Sequence, residues 1–96
     1  MNGPLAEGTN PDRAWRPVLS RSVMLRHDPV RDTDLLVLPE RVVVLHGAAG
    51  PALRLCDGTR DVAAVVAELA ARHSGAPVAE EVPPFLERLR AEGWLV

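Results

Sequence analysis

A chain of 96 residues, 47% of them hydrophobic, can bury one modest core and has no room for a second domain. Its formal charge of -2, with arginines interspersed among Asp and Glu, offers no segregated basic patch to neutralise phosphates, which argues against nucleic acid as a partner. No apolar run approaches the roughly 20 residues that span a bilayer, and the lone Cys56 can form no internal disulfide, so a cytoplasmic protein without membrane contact is expected.

Residues 1–14 carry Gly3, Pro4, Gly8, Asn10 and Pro11 with almost no apolar periodicity, which predicts a disordered N-terminal arm and a domain spanning 15–96. Residues 22–27 form a candidate first strand, and the turn formers from Asp28 to Thr33 lead into a second at 35–38. Pro39 and Glu40 suit a tight reversal, because proline presets φ for a turn and cannot donate to a ladder. A third strand follows at 41–45, giving a small antiparallel meander. Both of these last runs are apolar on both faces, whereas a strand half-buried against one layer should alternate. Something outside the local fold is therefore expected to cover the second face.

From Gly47 the period changes to that of a helix, with Ala49, Ala52, Leu53 and Cys56 at i, i+3, i+4 and i+7 and Asp57-Gly58 as the stop. Thr59 is the expected N-cap of a second helix carrying Val62, Val65, Val66 and Leu69, with Arg72 and His73 suited to its C-terminus. A third places Val82, Phe85, Leu86 and Leu89 on one face. Pro83 and Pro84 predict that its regular part begins only there, since a residue before proline avoids the α region. Gly93 ends it, and Trp94-Leu95-Val96 forms an apolar tail expected to pack back onto the domain. The fold class is α+β, a three-stranded antiparallel sheet followed by three helices in a winged-helix-like arrangement.

Little here can carry chemistry. His27, His46, His73 and Cys56 show no i, i+3 or i, i+4 ligand spacing, so no metal is expected. Cys56 lies on an inner helix face beside Asp57, the opposite of the electropositive setting that makes a reactive thiolate. Ser20, Ser22 and Ser74 have no nucleophile-elbow context, and Glu80-Glu81 at a helix start ordinarily compensates the dipole. No catalytic residue and no cofactor is expected. Phe85, inside the apolar stripe, is expected in the core, with anchoring of a partner as its alternative; Trp94 suits either role, and Trp15 is expected to close the edge of the sheet. The strand at 41–45 is the strongest functional feature: an exposed row of N–H and C=O groups beside valines can accept an added peptide strand, or equally the same strand of a second copy or cover from within the chain.

The segments Leu36-x-Leu38-Pro39-Glu40-Arg41, Leu53-x-Leu55-Cys56-Asp57-Gly58, Val66-x-x-Leu69-Ala70, Val82-x-x-Phe85-Leu86-x-x-Leu89 and Gly93-Trp94-Leu95 stand in the order and spacing of a known family. From about Trp15 onward the chain resembles the pyrroloquinoline quinone (PQQ) biosynthesis protein D (PqqD) family, precursor-peptide recognition elements for ribosomally made, modified peptides (RiPPs). The resemblance implies a peptide chaperone that binds the leader of the precursor PqqA as an added strand and presents it to the radical S-adenosylmethionine enzyme PqqE. Carried onto this sequence, the peptide-binding surface is Arg41, Val42, Val43, Val44, Leu45 and His46, with Phe85, Leu86, Leu89 and Arg90 from the last helix. The rival classes are a winged-helix DNA-binding regulator and a structural homodimer paired through its third strands.

Overall fold

The computed structural model describes residues 15–73 and 75–96; the expected arm at 1–14 and Ser74 lie outside the described residues. Strands β1 (Met24–Asp28), β2 (Thr33–Val37) and β3 (Val42–Leu45) form an antiparallel meander in the order β1-β2-β3. Helices α1 (Ala49–Arg54), α2 (Val62–Arg72) and α3 (Val78–Ala91) follow, which is the expected α+β order of sheet then helices. Among the described residues no helix is long and apolar enough to cross a membrane.

The hairpin turns follow from side-chain chemistry. Asp28 accepts the N–H of Val30 at 3.0 Å, an Asx turn that pairs Asp28 directly with Thr33. β2 consequently starts two residues before the expected Leu35. It ends one residue early as well, because the Leu38 N–H turns to the Arg41 carbonyl at 2.8 Å across the Pro39-Glu40 reversal.

Pairing register sorts the side chains into two faces. Leu25, Leu36 and Val43 form one row toward the helices, and His27, Asp34 and Leu45 form the next. Leu36 is fully buried, and Leu45 nearly so. On the other face stand Met24, Val37 and Val42, then Arg26, Leu35 and Val44. That outer face stays open, with Met24 47%, Val42 55% and Val44 49% exposed. The apolar excess in β2 and β3 is thus a real uncovered surface.

The core lies between the inner sheet face and the helices. Leu36, Leu53, Leu69, Leu86, Leu95 and Val65 are its largest fully buried aliphatic side chains, each contributing about 1.5–3 kcal/mol of transfer free energy. The tail does pack back: Leu95 is buried, and residues 94–96 pair with 18–20 through Val18 N–H to Val96 O at 3.1 Å, Val96 N–H to Val18 O at 2.8 Å and Ser20 N–H to Trp94 O at 2.9 Å. Trp15 lies in the core rather than at the sheet edge, with the Arg90 guanidinium 4.2 Å above its ring.

Two helix starts differ from the expected ones. The N-cap of α2 is Asp61, whose carboxylate accepts the Ala64 N–H at 2.9 Å, while Thr59 is held by Asp57 in the preceding turn. Helix α3 begins at Val78, five residues ahead of Pro83. The two prolines cost the hydrogen bonds that would run back to the carbonyls of Ala79 and Glu80. Both of those residues are exposed, so water can serve the carbonyls, and burial of Val78 and Val82 in the core holds the first turns helical.

Candidate functional site

Strand β3 is the last in the sheet, so among the described residues one side of its backbone has no strand partner. Alternate N–H and C=O groups on that side point outward, available to a fourth strand. At its C-terminal end Gly47, at φ 58, supplies the left-handed conformation that turns the chain into α1, and the His46 carbonyl accepts the Ala49 N–H at 3.1 Å.

Beside this corner lies a groove of about 560 Å³, walled by residues 46–49 on one side and on the other by Glu80, Glu81, Val82, Pro84, Phe85 and Arg88 of α3. The helix presents that face because Val78, Val82, Leu86 and Leu89 are buried in the core, which leaves Glu81, Pro84, Phe85 and Arg88, at i, i+3, i+4 and i+7, turned toward the groove. Phe85 is half-buried, one side of it on the core and the other lining the groove.

The α1 wall is fixed by the sheet. Asp34 on the inner face of β2 accepts from Arg54 of α1 and lies 2.9 Å from His27 Nδ1, while His27 Nε2 lies 3.3 Å from Asp32. Gly50 of α1 packs directly on Asp34, so closely that a β-carbon there would sit 2.6 Å from Asp34 Cγ and 2.7 Å from Asp34 Cβ. This contact sets how near α1 approaches the end of β3.

The expected surface residues divide. Val42 and Val44 sit at the open edge with their side chains on the exposed outer face; Val43 packs against the core, and Leu45 is buried. Arg41 lies with its guanidinium 5.1 Å from the Trp94 ring centre, and His46 and Phe85 line the groove. Leu86 and Leu89 are core residues, 0% and 5% exposed. Arg90 is occupied with Trp15 and, at 3.6 Å, with Glu87, on a different side of the helix. Glu80, Glu81, Pro84 and Arg88 instead complete the groove. Their sequence signal is the spacing of Glu81, Phe85 and Arg88, which repeats one helix face.

Among the described residues no group of three or more His, Cys, Asp or Glu side chains could hold a metal ion. Burial pushes the Cys56 thiol up to about 12, with the Asp57 charge adding to it, so the group stays protonated at neutral pH. The exposed side of α2 consists mainly of Ala63, Ala64, Ala67, Ala70 and Ala71, and Arg72 is tied to Glu68 at 2.9 Å. Such a helix has few donors for reading bases.

Residues 33–95 match the family model of coenzyme PQQ synthesis protein D (PqqD). A protein of Pseudomonas paraeruginosa named PqqA binding protein is 41% identical over 80 residues, covering 82% of this chain and 87% of the relative. One of the same name from Rhodopseudomonas palustris is 39% identical over 82 residues, covering 83% and 80%. The solution structure of the PqqD truncation of Methylobacterium extorquens PqqCD, described as a functional, stand-alone RiPP recognition element, superposes with a TM-score of 0.69 at 32% identity, covering 83% of this chain and 87% of that one. The chain belongs to the PqqD family.

Proposed function

We propose that this protein is a non-catalytic, cytoplasmic peptide chaperone of PQQ biosynthesis that captures the leader of the precursor PqqA as a fourth strand on β3 and presents it to the radical S-adenosylmethionine enzyme PqqE. The observation that carries the reading is the open β3 edge lying beside the groove against α3. Main-chain hydrogen bonds along the edge supply affinity for any extended segment, and the groove supplies selection among side chains. The names of the relatives, PqqA binding protein, support the identity of the peptide. The fused PqqCD protein in which the related domain occurs supports delivery of that peptide to an enzyme. Peptide-facing residues are then Arg41, the backbone of 42–46, Phe85 and, from the geometry of α3, Glu81 and Arg88.

Amide-shift titration of the labelled chain with a PqqA-type precursor tests this directly. Saturable shifts concentrated in 42–46 and 81–88 are expected. Shifts confined to α2, or none at all, would refute the site. The same open edge also favours pairing of β3 with β3 of a second copy, which the titration separates: self-association gives concentration-dependent shifts at 42–46 without peptide, and peptide then reverses them.

A further inference from the structure

We infer that the groove is charge-polarised along β3 and selects an extended segment of the form basic, x, apolar, x, acidic, read from the peptide's N-terminus; this rests on the strand-addition reading above. Arg41, just before β3, lies against Trp94, just after α3, while His46, just after β3, shares the groove with the first half of α3. Helix and strand therefore run in opposite directions past one another. The charges follow: Glu80 and Glu81 stand at the His46 end, and Arg88 stands toward the Arg41 end. Among the described residues these three side chains make no ion pair, unlike Glu87, Glu68 and Arg72 on other faces of the helices. Each is thus left to a partner from outside.

Spacing fixes the rest. Glu81 and Arg88 are separated by about 10 Å along the helix axis, and Phe85 lies between them on the groove wall. In an extended peptide, side chains facing one way recur every second residue, so positions i and i+4 lie about 13 Å apart with i+2 between them. Flexible basic and acidic side chains take up the difference. The i+2 residue meets Phe85, and an apolar side chain suits it. Direction comes from the sheet: an antiparallel fourth strand continues the meander and forms the more stable ladder. Its N-terminal end then lies at His46, next to the two glutamates, so the basic residue comes first.

The test uses the full chain and three synthetic peptides of equal length with cores Arg-x-Leu-x-Glu, Glu-x-Leu-x-Arg and Gln-x-Leu-x-Gln, followed by amide-shift titration, alongside the double variant Glu81→Arg, Arg88→Glu. Both substituted positions are exposed. The parent is expected to bind the Arg-first peptide on the order of fivefold more tightly than the Glu-first peptide, with a preference that shrinks as salt rises. The double variant is expected to reverse that order. Shifts at 42–46 with equal affinity for all three peptides would overturn the polarity while leaving strand addition intact. Binding of a PqqA-type precursor at 42–46 with none of the three peptides bound would likewise overturn the motif. If neither precursor nor peptides shift 42–46, the edge reading fails and the polarity falls with it.

Discussion

Gly50 offers the sharpest test of how the groove is held. In Gly50→Ala the new methyl would stand 2.6 Å from Asp34 Cγ and 2.7 Å from Asp34 Cβ, where ordinary carbon contacts begin well above 3 Å. The carboxylate can swing aside, at the expense of its bonds to Arg54 and His27. Cβ cannot, because it is fixed to the backbone of β2, so α1 must move off the sheet. Overpacking of this kind costs about 1–3 kcal/mol. The weakened ion pair of half-exposed Arg54 adds up to about 1 kcal/mol, and better helix propensity returns at most about 1 kcal/mol. The net loss is about 1–3 kcal/mol, which for a domain of this size lowers Tm by about 5–20 °C. Circular-dichroism melts measure it, and a substitution series apportions it. In an Asp34→Ala background the close Cγ and Oδ2 atoms are gone, only Cβ remains, and the cost of Gly50→Ala should shrink; in Asp34→Gly the Cβ is gone too and the cost should vanish or change sign. A Gly50→Ala protein as stable as the parent, or one whose loss is the same in all three backgrounds, would refute the close-approach argument. Because Ala49 rides on the same helix, affinity for the precursor peptide should fall in parallel.

The two faces of α3 predict opposite phenotypes. Leu86→Ala removes a fully buried side chain and should cost about 2–5 kcal/mol of stability, with unchanged peptide affinity in whatever fraction stays folded. Phe85→Ala should lose at least about 1 kcal/mol of binding, roughly fivefold or more in Kd by calorimetry, as expected for an aromatic anchor; equal affinity to the parent would remove Phe85 from the interface. Cys56 should react with a thiol reagent at neutral pH only as fast as the chain unfolds, since burial keeps it protonated. The folded thiol titrates above its ordinary value of 9.0, so its contribution to stability is complete below that pH and is lost as pH rises toward about 12. Denaturant midpoints measured from pH 8 upward should fall accordingly.

How much of this was legible in the residues depends on the range of the interaction. Strand and helix order, the reversal at Pro39-Glu40 and the unsatisfied apolar face of β2 and β3 are written in local periodicity, because side chains alternate every two residues in a strand and every 3.6 in a helix. The family was legible as a resemblance, carried by segments such as Leu-Pro-Glu-Arg and Cys-Asp-Gly that stand at turns between those elements. Local sequence pointed to Thr59 as the N-cap of α2, whereas the structure, with Val65 and Leu69 seated in the core, caps the helix with Asp61. Likewise Pro83 and Pro84 argue for a late helix start until burial of Val78 and Val82 outweighs them. Which arginine faces the groove is a tertiary decision as well: residues 88 and 90 point about 200° apart around the helix, and the Trp15 ring, 75 positions away in the chain, takes Arg90. The groove itself joins the corner after β3 to a helix more than thirty residues further on, held by a glycine packed on an aspartate from a different element. Sequence by itself determined the elements, the family and the presence of an uncovered apolar surface; only the packing of distant segments decided which charges line the groove and in what order.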